Sequence, residues 1–286
     1  MIAHTLASAL GQDRVLADPA DTAAFKVGAR APEAVVAPAS IEEMAAALAI
    51  AFEAGASVVP WGGGTRQTVG RPVRPAGPLI VLRTTGLNRV LDYNPDDLAI
   101  SVEAGMTMAG LRDALARHRQ MLPIDVPLPG RATIGGTLAL DADGPRRAGY
   151  GTARDLLVGV RVVEATGRIS KAGGIVVKNV SGFDLMKLYI GSGGTLAVIA
   201  SANFKLLPMA RASTTVQCAF PTAQAAFVCV DAIHASQLVP TACELSNCAW
   251  SAEGDLRLAV LVEGLPAAVD RHRAELLRIA EASGAL

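Results

Sequence analysis

The sequence predicts an α+β fold in three parts: α+β subdomains over about residues 28–85 and 86–210, then a short, incomplete α+β cap over 211–286. Three observations predict it. Short apolar runs bounded by glycine and proline alternate with longer segments whose apolar residues recur at helical spacing. At 51% hydrophobic and 18% charged residues, a chain of 286 residues has enough apolar surface to bury its own core. From about Arg211 the pattern changes to a β-α-β-β-α order, which marks a separate small unit, and the chain stops directly after its last helix.

Taken in order, the first 27 residues offer only a short helical opening. Val35 and Val36, bounded by prolines, read as a strand. Ser40 followed by Glu43 is a capping box for a helix that runs from Ile41 and stops at Gly55. SVVPW (57–61) is a short buried strand leading into the loop GGGTRQTVG (62–70). LIVLR (79–83) is the next strand, and Asn94-Pro95-Asp96-Asp97 turns between two further strand-like runs. Thr107 caps a helix predicted to reach Gln120. Residues 121–155 then form a long irregular stretch that carries much of the glycine, and a connection of that length in a compact domain is functional or disordered. Leu156–Gly173 reads as a hairpin turned at Thr166-Gly167, a helix is predicted to begin at Gly182 or Phe183, and TLAVIASANFKLLP (195–208) alternates as a strand. In the cap, TTVQCAF and RLAVLVEG are strands, and TAQAAFVCVDAIHAS and PAAVDRHRAELLRIAEAS are helices.

Composition excludes several classes of function. Lys+Arg and Asp+Glu balance at 26 each with no long basic run, which argues against a cationic face for nucleic acid. Apolar stretches are interrupted well before the ~20 residues that a membrane span needs. The N-terminus is apolar but has no basic segment before it, so no signal peptide is expected. The cytoplasm is the expected location, with peripheral attachment to the inner face of the membrane through partners as an extension. Cys218, Cys229, Cys243 and Cys248 read as small hydrophobes; the spacing from Cys243 to Cys248 lacks the second pair that a metal site would need, and no metal is expected.

The chemistry sits in the glycine. Gly62-Gly63-Gly64 follows a short apolar strand, where residues without Cβ can turn successive N–H groups toward one point and cradle a phosphate. For that loop alone a tight surface turn is the commoner explanation, since glycine clusters are frequent turn formers. Neither GxxxxGK[ST] nor GxGxxG between a strand and a helix is present, so a Rossmann site is not expected. GSGGTL (191–196) follows a helix and precedes a strand, the wrong order. A second glycine-rich region, with Gly135-Gly136, Gly144-Pro145-Arg146-Arg147 and Gly149-Tyr150-Gly151, lies about seventy residues after the first. Two such loops can clasp one elongated diphosphate, with arginine adding charge-assisted bonds; a solvated turn is the alternative for the arginine pair.

The order WGGGT, PLPGRATIGG, GPRRAGYGTARDLLVGVRVV and GGIVVKNVSGFDLMKLYIGSGGTLAVI resembles the FAD-binding domain of the vanillyl-alcohol oxidase (PCMH-type) flavoproteins. Within that family it is most similar to the FAD-binding subunits of bacterial glycolate oxidases. The resemblance spans roughly Pro32 to Pro208, and implies a PCMH-type domain over residues 1–210 that binds FAD. It implies that Pro60, Trp61, Gly62, Gly63, Gly64, Thr65, Arg66 and Gln67 wrap the pyrophosphate. Thr133, Ile134, Gly135 and Gly136 then line its far side and the ribityl chain. Gly144, Arg146, Tyr150 and Gly151 stand near the flavin, Lys178, with Asn179, Gly182 and Phe183, approaches the isoalloxazine, and Val198 and Ile199 lie against the adenine end. Thr65 stands where relatives with covalent flavin carry histidine, which implies non-covalent FAD. Gly193 stands where many relatives carry glutamate.

Oxidising a 2-hydroxy acid on flavin requires a base and a cation for the carboxylate. His4, His118, His234 and His272 lie outside the glycine loops, and His118 and His272 read as exposed helix residues. Tyr150, Arg146, Arg147 and Lys178 are candidates for polar work, and no catalytic base is assigned. The resemblance implies a flavin subunit that relays electrons beside a catalytic flavoprotein subunit and an iron–sulfur subunit of a glycolate oxidase complex, with a small 2-hydroxy acid as substrate. A stand-alone FAD-dependent oxidoreductase, or a structural subunit that kept the fold without active flavin, are the competing readings.

Overall fold

The computed structural model describes residues 2–175, 183–247 and 256–286. The chain divides into two compact units. The first is Met1–Leu122, Val126–Ala142 and Ala153–Leu207; the second is Pro123–Asp125, Asp143–Thr152 and Pro208–Leu286.

The first unit opens with α1 (Ile2–Leu10), β1 (Val15–Leu16), α2 (Pro19–Thr22), β2 (Ala34–Val36), α3 (Ile41–Glu53), β3 (Ser57–Trp61) and β4 (Leu79–Arg83). The strands form one sheet in the order β1-β2-β4-β3, with β2 and β3 both parallel to β4. Parallel strands covered on both faces need unbroken apolar runs, and Ala34–Val36 and Leu79–Leu82 are buried throughout. α3 starts at the expected cap: the Glu43 N–H donates to Ser40 Oγ at 3.1 Å. The Glu43 carboxylate accepts the Ala39 N–H at 2.8 Å, one residue earlier than a standard capping box places it. Met44, Ala47 and Leu48 pack this helix onto Ile80 and Leu82 in a core that also takes in Val163 and Val198 of the next sheet. The two-residue strand β1 has too few residues to display a period.

There follow β5 (Val90–Asn94), β6 (Ala99–Glu103), α4 (Met108–Ala116), β7 (Gln120–Met121), α5 (Ile134–Ala139), α6 (Arg147–Tyr150), α7 (Ala153–Leu156), β8 (Leu157–Val163), β9 (Ile169–Gly173), β10 (Val198–Lys205) and β11 (Leu207–Pro208). α6 belongs to the second unit. The sheet runs β5-β6-β10-β8-β9, with Ala202 of β10 opposite Val102 on one side and Val160 on the other. The turn at Asn94–Asp97 and the hairpin at Thr166-Gly167 stand where the sequence puts them.

Two helix expectations need correction. The helix from Thr107 ends at Ala116 rather than Gln120. Arg119 takes a left-handed φ of 53°, and the Gln120 side chain is drawn inward to accept from Tyr93 Oη at 2.9 Å and donate to the Pro95 carbonyl at 2.6 Å. The helix expected from Gly182 or Phe183 is, among the described residues, a single 3-10 turn at Leu185–Leu188.

The second unit holds β12 (Ala212–Phe220), α8 (Ala223–Ala235), β13 (Ala242–Ser246), β14 (Leu256–Gly264) and α9 (Pro266–Ala282). The antiparallel sheet has the order β12-β14-β13. Phe220, Leu258, Val260 and Val262 alternate onto one face and pack against Ile233 of α8 and Leu276 of α9. Cys229 is buried in this core; burial raises the thiol pKa of Cys218, Cys229 and Cys243, keeping them protonated. Cys248 lies outside the described residues.

Candidate functional site

A cavity of about 500 Å³ opens in the first unit, within the usual size range for a cofactor site. Three segments build its wall: the loop after β3, the start of α5, and the chain leading into β10. From the first come Pro60, Gly62, Gly63, Gly64, Thr65, Arg66 and Gln67, with Val69, Arg71 and Val73 further along. Thr133, Gly135, Gly136 and Thr137 come from the second, and Gly191–Thr195 with Val198 and Ile199 from the third.

The glycines of the first loop are explained by the protein itself. A Cβ on Gly62 would overlap the Thr133 hydroxyl, and one on Gly63 would overlap the Arg131 carbonyl oxygen. Arg131 Nη2 closes the contact by donating to the Gly63 carbonyl at 3.1 Å, across 68 residues of sequence. Loop packs on loop here, so close approach of a ligand is not what demands these two glycines. The result is a stretch of three residues that carries no side chain of its own. The N–H groups of Gly62 through Gln67 have no acceptor among the described residues, whereas most polar backbone groups in a folded protein are paired.

The other two segments are held as firmly. Thr133 caps α5 by accepting the Gly136 N–H at 3.3 Å. The Gly191 N–H donates to the Leu138 carbonyl at 3.0 Å and the Gly193 N–H to the Ala139 carbonyl at 2.7 Å, tying the 191–195 chain to α5. Gly193 adopts φ 62°, a left-handed conformation where a glutamate would be strained, so the glycine at this position fits its backbone. Of the ionisable groups among the described residues, the wall carries Arg66 and Arg71 and no carboxylate. Unpaired N–H donors, two guanidinium groups and apolar remaining walls (Val59, Val126, Leu140, Val198) suit an elongated molecule with an anionic middle, and FAD, with its pyrophosphate, has that chemistry.

Several expected residues stand elsewhere. Trp61 lies beside the wall, its ring edge-on to Phe25 at 5.5 Å and beneath Gly64. Ile134 is buried in the core. Lys178, Asn179 and Gly182 lie outside the described residues, and Phe183 is 92% exposed.

Gly144, Arg146, Tyr150 and Gly151 belong to the second unit, where a buried carboxylate gathers Arg146 and Tyr150. Glu263, 6% exposed, accepts from Tyr150 Oη at 3.1 Å and from Thr241 Oγ1 at 2.9 Å, and Arg146 Nη2 stands 3.7 Å from it. The Arg146 N–H donates to Asp125 at 3.3 Å, and Arg147 pairs with Asp143 at 3.3 Å. Burial first, then the charge of Glu263 and the hydrogen bond to it, push the Tyr150 phenol up to about 12. Tyr150 therefore keeps its proton at neutral pH and acts as a donor, which removes it as a base.

The histidines His4, His234 and His272 lie in α1, α8 and α9, and His118 follows α4 with its ring edge-on to Tyr93 at 5.3 Å. Among the described residues no cluster is arranged to hold a metal ion, and no helix is long and apolar enough to cross a membrane. Sequence reasoning missed Arg71, Val69, Val73 and the Ser192–Thr195 chain. The glycines of that chain were the available signal, set aside because a strand-to-helix order was being sought.

Residues 32–173 match the family model described as FAD binding domain. The chain is 36% identical over 267 residues to a D-lactate dehydrogenase of Archaeoglobus fulgidus, covering 88% of this chain and 58% of the relative. It is 36% identical over 157 residues to glycolate oxidase subunit GlcE of Escherichia coli, covering 54% of this chain and 44% of that subunit. The chain thus spans about half the length of these relatives. An alkyldihydroxyacetonephosphate synthase superposes with a TM-score of 0.83 at 21% identity, over 100% of this chain and 59% of the synthase, a likeness of fold.

Proposed function

Because the chain belongs to the FAD binding domain family, we propose that its cavity holds FAD non-covalently and that it serves as a flavin subunit in oxidising a small 2-hydroxy acid. The observation that carries this is the run of N–H groups from Gly62 to Gln67 that are unpaired among the described residues, on a wall whose described residues include arginine and no carboxylate. In this reading those N–H groups and Arg66 bind and orient the pyrophosphate. Thr133, Gly135 and Gly136 face the ribityl side, and Val198 and Ile199 shield the adenine from water. Bound FAD supplies a two-electron acceptor for the hydroxyl-bearing carbon of the substrate. No residue of the chain is assigned as the base.

Glycolate is the substrate this reading favours, within a complex containing a catalytic flavoprotein subunit and an iron–sulfur subunit, in the cytoplasm or at the inner face of its membrane. Its support is the likeness to the glycolate oxidase subunit together with the GPRR and YGTARD segments. D-lactate is the second reading, favoured by the longer match to the D-lactate dehydrogenase.

The absorption spectrum of the purified chain, alone and co-expressed with its genomic neighbours, tests both. A yellow protein that releases FAD on denaturation is expected; a colourless one without FAD affinity ends the proposal. Bleaching of the complex by glycolate but not D-lactate selects the first substrate, and the reverse selects the second. Gly136→Val puts a branched side chain on the wall, where an added Cβ meets only Thr133 Oγ1 at 3.3 Å, so a folded variant without flavin is expected.

A further inference from the structure

The loop from Thr65 to Gly77 carries three arginines, two of which, Arg66 and Arg71, line the cavity. Several arginines away from the cavity have carboxylate partners, among them Arg14 with Glu43, Arg30 with Glu33, Arg89 with Glu103, Arg146 with Glu263 and Arg168 with Glu164. Among the described residues Arg66 and Arg71 have no such partner, and the cavity wall offers none. Two cations facing one cavity without a counter-charge repel each other and gain from an anion placed between them. A guanidinium fork matches phosphate oxygens in pairs, which an ammonium cannot do.

The loop is fastened at both ends. Arg131 holds Gly63, while Arg30 Nη2 donates to the Gly77 carbonyl at 3.0 Å and the Ala76 N–H to Ser57 Oγ at 3.3 Å. Between these points Val69 and Val73 line the cavity while remaining 59% and 49% exposed, so the loop brings apolar cover and positive charge to the same opening.

We propose that Arg71, acting with Arg66, is the counter-ion of the cofactor's pyrophosphate, and that this guanidinium pair selects the diphosphate-bearing flavin over riboflavin. The proposal rests on the FAD reading above and adds the residue pair and the specificity. It predicts that cofactor binding is weakened by salt, since charges this close to solvent are screened by added ions.

Arg71→Gln, Arg66→Gln, the double variant and Arg71→Lys test it, with FAD affinity measured by fluorescence titration at low and high salt. Each glutamine variant is expected to bind FAD about tenfold more weakly at low salt, and the double variant about a hundredfold, the strength of charge-assisted hydrogen bonds on a half-exposed wall. The double variant should lose most of the salt dependence, and Arg71→Lys should retain it. Thermal unfolding with inorganic pyrophosphate supplies a second readout: the salt-free midpoint should rise for the wild type and stay unchanged for the double variant. A double variant with wild-type FAD affinity and salt dependence overturns the proposal. So does a wild type that binds FAD but does not respond to pyrophosphate. If the wild type takes up no FAD at all, the functional reading fails, and the pyrophosphate response alone decides the arginine pair.

Discussion

Gly62–Gln67 and Gly144–Gly151 are both rich in glycine and arginine, and they treat their polar groups in opposite ways. In the first, among the described residues, the backbone N–H groups are left without acceptors and the arginine without a carboxylate. In the second, Arg146, Arg147 and Tyr150 all have acidic partners, with Glu263 and Thr241 closing the set. Unspent hydrogen-bonding capacity marks a surface built to receive something from outside the chain, whereas a closed set marks one that the chain uses on itself. Composition alone does not separate the two.

The largest effect that sharpens this contrast is expected from Gly63→Val set beside Gly136→Val. The first drives a side chain into the Arg131 carbonyl and should cost about 3 kcal/mol or more in stability along with the flavin, since backbone must move. The second should abolish flavin binding while shifting the thermal midpoint by only a few degrees. Equal destabilisation by both would mean that the cavity wall is packed core rather than a receptor.

Next in size is Glu263→Ala, which takes the acceptor from the Tyr150 hydroxyl, leaves Thr241 Oγ1 only the Leu261 carbonyl at 3.3 Å, and leaves the Arg146 guanidinium only Asp125 at 3.9 Å. A loss of about 2–3 kcal/mol is expected in denaturant unfolding, with the flavin content of the folded protein unchanged. Loss of flavin with retained stability would reverse the assignment of roles.

Tyr150→Phe removes one of those bonds and should cost about 1 kcal/mol near neutral pH. Its pH dependence is more telling. The folded state holds the Tyr150 proton up to about 12, above the ordinary phenol value of 10.0. Stability from this group is therefore fully present below pH 10.0, and is lost as the pH climbs from there through about 12. The wild type should show that alkaline decline and the phenylalanine variant should lack its share of it. Smallest of all is Arg147→Gln: Arg147 is 62% exposed in its pair with Asp143, and the change should stay within about 0.5 kcal/mol.

Much of the fold is legible in the sequence because local rules decide it. Ser40, Thr107 and Thr222 cap their helices by short-range bonds, and Asn94–Asp97 turns by its own chemistry. The strand of the cap that the β-α-β-β-α order requires is found at Ala242–Ser246, a stretch too mixed in composition to be assigned by alternation. What is not legible is decided at a distance. The early end of α4 depends on Gln120 finding Tyr93 and Pro95. The allegiance of the GPRR segment depends on Glu263, 113 residues beyond Tyr150. The 191–195 chain reaches the cavity through carbonyls at the end of α5, which a test of strand-to-helix order does not consider. The glycine loop was found for a reason only half right: its position is as read, while the absence of Cβ at Gly62 and Gly63 is set by Thr133 and Arg131.

That last contact means that the receiving surface is prepared before any cofactor arrives. Arg131 and Gly63 meet across 68 residues, so the cradle exists only where two distant stretches of chain have been brought together. The cradle is then held by the chain's own atoms rather than moulded around a guest. A guest that binds this ready-made cradle adds its binding free energy to the stability of the folded chain.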